Sequence, residues 1–248
     1  MTRANVRIGP VSISADRVTE GLELGPDGID GWNDAVDMRR EDIAIPQAPG
    51  SFDLPGLPAA RVLTIAGRCV ASSVEKLGWY RSQVTGLLTR GDSGRIVVEE
   101  FGLTTWAQCR LASRTKWQAW GGQPYADFQL QLWCPDPRRY GEVRTFPGGA
   151  AAYHYGNFPA SPVLTVTGSA AGGYTINGPS GKTFTVTKAL VSGHPHTIDM
   201  VTGRLTVDGA VQIGAVGRAQ TWAIPPGATV AMTSTAGTLT AAVTDTYI

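Results

Sequence analysis

The chain has 248 residues with 21 basic and 20 acidic side chains, a net charge of +1, which gives no electrostatic case for nucleic acid or an anionic membrane as partner. No apolar run approaches the roughly 20 residues that span a bilayer, and the opening MTRANVRIGP lacks the apolar core of a secretory signal, so a protein made and folded in a cytoplasm is expected. Cys69, Cys109 and Cys134 are odd in number, scattered and without a CxxC, which points to buried reduced thiols rather than a disulfide frame or a zinc site.

In chain order, 3–24 holds short alternating pieces: Val6 with Ile8, Val11 with Ile13, Leu22 with Leu24. Residues 25–58 (GPDGIDG, the charged MRRED, then IPQAPGSFDLPGLP) offer few positions for a regular element. A loop of this length inside a compact domain is usually functional or disordered. It reads as an extended arm, mobile in the free monomer. RVLTIAG at 61–67 is a strand. A helix is expected at about 73–89, with Ser72 as N-cap and Glu75 closing a capping box. Val74, Leu77, Val84, Leu87 and Leu88 would form its apolar face, and Gly91 lies past its end.

Strands follow near 95–100, 104–112, 114–120 and 125–133. In the last, Ala126, Phe128, Leu130 and Leu132 alternate with Asp127, Gln129 and Gln131, the pattern of a half-buried strand. It ends against Pro135 and Pro137, which cannot donate to a ladder. Trp117, Trp120 and Tyr125 surround a Gly-Gly turn, where clustered aromatics either pack or form a contact surface. Beyond Pro162 alternating strands recur every 8–12 residues, the spacing of an antiparallel sandwich. Charge thins in this half: after residue 150 there remain only Lys182, Lys188, Arg204 and Arg218 against Asp199, Asp208 and Asp245. The shift places a linker at 141–160, between domains at 1–140 and 161–248.

Motifs that imitate chemistry lack their partners. Gly91-Asp92-Ser93-Gly94 matches a serine-protease tetrapeptide, but His154, His194 and His196 all follow it, and its residues are ordinary in turns. Gly181-Lys182-Thr183 ends like a phosphate loop, yet Ile176 replaces the required glycine and a strand follows. His194, His196 and Asp199 are too few and too divergent for a metal centre. No catalytic residue, cofactor or metal is expected.

The order of elements resembles the distal tail protein of long-tailed, non-contractile bacteriophages. The resemblance rests on IPQAPGSFDLPG, RVLTIAG, the helix, LLTRGD, RIVVEE and LQLWCPDPRRYG in sequence. It continues with Asn157, Phe158 and Pro159 at the entry to the second half, YTING, and Ile198, Asp199, Gly203 and Arg204 in HTIDMVTGRLTVDG. It implies a mainly β fold: an N-terminal tail-tube-like β-sandwich or split barrel with one α-helix, then a C-terminal galectin-like antiparallel β-sandwich. It further implies a virion protein of the tail tip, assembled in the host cytoplasm as a hexameric ring between tail tube and tail hub. The partners it implies are other copies, the tail-tube protein and the hub protein, with the tape-measure protein and a host surface glycan as further candidates. On this reading Arg39, Arg40, Glu41, Asp42, Trp117 and Trp120 are candidates for subunit contacts. The rival reading, a carbohydrate binder, rests on Tyr153, Tyr155 and Tyr174, with Trp222 and Tyr247 weaker; Trp222 beside Ala223 and Ile224 reads as core.

Overall fold

The computed structural model of the protein describes residues 4–248; the first three residues of the stretch read as lacking a signal lie outside it. The chain divides into two compact units, one from the N-terminus to Arg139 joined by Ile248, the other Tyr140–Tyr247.

The first unit contains β1 (Asn5–Ile8), β2 (Val11–Ser14), β3 (Gly21–Asp30), β4 (Met38–Arg39), β5 (Leu57–Pro58), β6 (Arg61–Val70), α1 (Val74–Thr85), β7 (Gly94–Glu100), β8 (Leu103–Leu111), β9 (Lys116–Ala119) and β10 (Tyr125–Cys134). Seven of these strands close a barrel in the order β8-β7-β1-β2-β3-β6-β10, with β10 returning to β8 through Leu132 and Trp133. All pairings around the barrel are antiparallel except β2 with β3. Closure removes sheet edges. It also explains the alternation: Leu63 and Ile65 of β6 and Phe128, Leu130 and Leu132 of β10 point inward and are buried. Full burial of each such side chain contributes about 1.5–3 kcal/mol.

The helix differs from expectation at both ends. Its N-cap is Ser73, not Ser72: Ser73 is extended, and its hydroxyl accepts from the Lys76 amide at 3.2 Å. Glu75 therefore sits one position short of a capping box. Its carboxyl is held below the usual range by its own backbone N–H and the Ser73 hydroxyl. The helix stops at Thr85; the Gly86 amide donates to Ser82 O and the Leu87 amide to Val84 O. Leu87 and Leu88 lie in the following turn, with Leu88 at φ 55. Leu77 and Val84 are buried, while Val74, expected on the same face, is exposed.

The second unit contains β11 (Arg139–Pro147), β12 (Ala151–Ala152), β13 (Val163–Thr167), β14 (Tyr174–Asn177), β15 (Thr183–Val186), β16 (His196–Asp199), β17 (Arg204–Val207), β18 (Ala210–Val211), β19 (Val216–Ala219), β20 (Val230–Ala231), β21 (Thr233–Ser234) and β22 (Thr238–Tyr247). Sheet order β18-β17-β16-β13-β22-β11 faces sheet order β19-β15-β14-β21 across one core. Leu164, Val166, Ile198 and Val243 on one side meet Ile176, Phe184 and Val186 on the other, with Trp222, between β19 and β20, also buried. This is a β-sandwich. The stretch 141–160, expected as a linker, carries most of β11 and all of β12. Asp245 of β22 fixes it: one oxygen takes the Arg144 guanidinium at 2.5 Å, the other the Tyr155 amide at 2.8 Å.

Candidate functional site: the arm and its root

Between β3 and β6 the chain leaves the barrel as a hairpin. Met38 pairs with Pro58 and Arg39 with Leu57. Farther out Ala44 bridges to Ser51, and the Ile45 amide donates to Gly50 O at 3.0 Å. This hairpin lies within the stretch 25–58 that the sequence suggested as an arm, but it begins later than residue 25. Residues 25–30 still belong to β3, which resumes its pairing with β6 at Ile29 after a bulge. Nearly every residue from 33 to 53 is exposed, Arg39, Arg40, Glu41 and Asp42 among them. So are four large apolar side chains that sequence reading passed over: Met38, Ile43, Phe52 and Leu57. A two-stranded hairpin is marginal in water by itself, and apolar groups exposed together are a feature common to contact surfaces.

The root of the arm is built differently. Trp32 is fully buried and Arg61 is 2% exposed. Arg61 Nη1 donates to three backbone carbonyls, Gly31 at 2.5 Å, Trp32 at 3.2 Å and Asp34 at 2.9 Å, and Nε donates to Pro137 O at 3.0 Å. Arg139 stacks over the Trp32 ring at 5.5 Å and donates to Asn33 Oδ1 at 3.0 Å. Asn33 in turn donates to Glu100 at 3.1 Å. The guanidinium of Arg61 is held below its ordinary pKa first by burial and then by Arg139, with Asp34 acting against this. A readable signal existed for Arg61: it stands in phase with the inward Leu63 and Ile65.

The two tryptophan candidates separate. Trp117 packs partly buried on the core, stacked on Phe128 with centroids 6.4 Å apart, so it is chiefly a packing residue. Trp120 is exposed and fixed in place: its Nε1 donates to Asp127 at 2.9 Å, and the Arg68 guanidinium lies 4.7 Å over its ring. A second exposed apolar pair, Val62 and Trp133, sits cross-strand on the outside of the barrel.

The carbohydrate candidates also separate. Tyr174 is buried, its hydroxyl 3.1 Å from His196 Nδ1, so it cannot meet a sugar. Trp222 is buried with Nε1 on Met232 Sδ. Tyr153 and Tyr155 do come together, edge to face at 5.4 Å, with Phe146 5.2 Å from Tyr153 and Arg144 4.4 Å over Tyr155.

The motif-like residues are occupied structurally. Ser93 lies in the irregular connection just before β7. His154 is buried, donating from Nε2 to Ile224 O and accepting the Gly156 amide on Nδ1. His194 meets Asp208 at 2.6 Å. Lys182 donates to Thr221 O beside a turn at Pro179–Gly181. An open cleft of about 900 Å³ lies beside the β3 bulge. Three of its carboxylates are engaged: Glu23 by the Val18 amide, Asp127 by Arg68 and Trp120, Glu100 by Asn33. No group of three His, Cys, Asp or Glu that could hold a metal occurs among the described residues, and no described helix is long and apolar enough to cross a membrane.

A barrel carrying one helix and a projecting hairpin, followed by a β-sandwich, defines a two-unit β protein. The same architecture occurs in the crystal structure of the Dit protein of phage SPP1, described as a paradigm of the hub adsorption apparatus in phages that infect Gram-positive bacteria. The TM-score is 0.78 at 15% identity, covering 99% of each chain. Two structures of the phage p2 baseplate in its activated conformation, with strontium and with calcium, match at TM-score 0.51 and 9% identity. They cover 98% and 99% of this chain respectively, and 98% of theirs. No family model matches the sequence, and no curated protein matches it. The chain has the fold of the SPP1 distal tail protein.

Proposed function

We propose that the chain is a structural protein of a phage tail tip, in which six copies close into a ring between the tail tube and the hub that leads to host adsorption. The observation that carries this is a likeness to SPP1 Dit that spans both chains end to end, both units included. The arm supports it. A ring joins unlike patches of successive copies, and a hairpin exposing Ile43, Phe52 and Leu57 is a ready half of such a joint. Arg39, Arg40, Glu41 and Asp42 would supply its polar rim, and Trp120 is a further contact candidate. The role is assembly, with no reaction catalysed.

Light scattering over a range of concentrations tests the reading. A species near six times 26.2 kDa, alone or with the tube and hub proteins of the same phage, is the expected result. A chain that stays monomeric in every such mixture sinks it.

A second reading has one observation in its favour. Phe146, Tyr153 and Tyr155 form an aromatic row in the second unit, with Tyr155 66% exposed and Glu142 beside Arg144. A glycan array probed with wild type and Tyr155→Ala tests sugar binding; silence from the wild type removes it.

A further inference from the structure

We infer that Arg61 is the positioning residue of the arm: it sets the direction in which the hairpin leaves the barrel, so that a free subunit already presents the arm in one orientation. Arg61 is the first residue of β6, three residues after the arm's returning strand β5. Its side chain reaches the outgoing limb and binds the carbonyls of Gly31, Trp32 and Asp34. One guanidinium thus ties both limbs of the hairpin together, and its Nε ties them to Pro137, just past the end of β10. The Ala59 amide closes the same ring of contacts by donating to Asp37 O at 2.7 Å.

The chemistry of this residue suits positioning better than stabilisation. Burying a cation is costly even when it is paired, and an apolar side chain of equal volume often serves a core as well or better. Arg61 is buried among carbonyls, and its Nη2 has no hydrogen-bond partner among the described residues. What the guanidinium supplies is a rigid planar fork of donors. That fork holds the hairpin carbonyls on Nη1 and the Pro137 carbonyl on Nε at the same time, whereas a lysine offers one nitrogen and an alkyl chain none. The hairpin beyond has little packing of its own. Its direction therefore depends on the root, where Trp32 and Arg61 are the buried members.

Preorganisation of this kind reduces the ordering cost when a partner is met. Its consequence for ring closure rests on the proposed assembly; the clamp itself does not, and is read in the isolated subunit. Nitroxide labels at Ser51→Cys, near the arm's end, and Gln108→Cys, on the outside of β8, give a distance distribution by pulsed electron resonance on the full chain. Hydrogen exchange of β7 and β8 amides is followed in parallel. A single narrow distribution is expected for the parent. With Arg61→Met it should at least double in width while β7 and β8 exchange stays within twofold. Arg61→Lys, which keeps the charge and loses the fork, should broaden it similarly and stands in should the Met variant fail to fold. A parent distribution that is already broad overturns the inference. So does an unchanged width in the variants, or protection lost equally from barrel and arm, which would make Arg61 an ordinary stabilising residue. Self-association is measured separately on the unlabelled protein, so failure of the ring leaves the clamp result standing.

Discussion

Ile43 and Phe52 stand opposite each other near the outer end of the arm. The Phe52 amide donates to Ile43 O at 2.9 Å, and both side chains face solvent. Among the described residues nothing covers the exposed half of this apolar pair. Replacing both by serine should therefore change folding stability by no more than about 0.5 kcal/mol, as for other exposed positions. In the proposed ring the same change should weaken self-association at least tenfold, because a desolvated aromatic anchor in an interface carries energy that its neighbours do not. Sedimentation over a concentration series and a urea titration of the same variant check the two halves. Unchanged association would remove the arm's end from the subunit contact.

Gly31 is where the outgoing limb passes closest to β6. Its φ is +81, and a Cβ there would lie 2.2 Å from Val62 O, a backbone atom that cannot swing aside. Gly31→Ala should cost roughly 2 kcal/mol or more, from the left-handed conformation and the clash together. Gly28, also at positive φ but with open space around it, should tolerate alanine at about 1 kcal/mol. Urea midpoints of the two variants give the contrast, and equal losses would mean that the close approach to Val62 does not constrain the root.

The barrel strands were legible because burial there follows a period of two: Leu130 and Leu132 read as one face from sequence and are inward, and Leu63 and Ile65, in a stretch read only as a strand, follow the same period. The same rule would have removed Tyr174 from the sugar candidates, since it is in phase with Ile176 of the core. It would have singled out Arg61 as well. The extension of β3 to Asp30 was hidden by its bulge, where Leu24 and Ile29 pair with Gly67 and Ile65 and the intervening GPDG breaks the alternation. The cap moved from Ser72 to Ser73 because two serines stand side by side and only backbone geometry chooses between them. The exposure of Tyr155 lies in an irregular stretch, where no period exists to read.

The three cysteines are buried in the first unit. Burial pushes the thiols of Cys69 and Cys134 up to about 12 and that of Cys109 up to about 11. The thiolate is the reactive species. At pH 8 a disulfide reagent such as Ellman's should therefore label none of the three in the folded chain over an hour, and all three once denaturant is added. Rapid labelling of even one native thiol would show that the barrel opens far more readily than its packing implies.

His196 ties the second unit's stability to pH. It is buried, Tyr174 lies 3.1 Å from its Nδ1, and its pKa is lowered first by burial and then by Lys188, against a backbone hydrogen bond at Ala189. Unfolded, it titrates near 6.5. As pH falls below about 6.5, the unfolded chain takes up a proton that the folded chain resists, so this residue's contribution is whole above that value and lost progressively beneath it. Urea midpoints from pH 8 to 5 should decline for the wild type. The decline should be shallower in His196→Gln, whatever that substitution costs at pH 8. Parallel curves for the two proteins would mean that His196 takes up its proton equally well in both states.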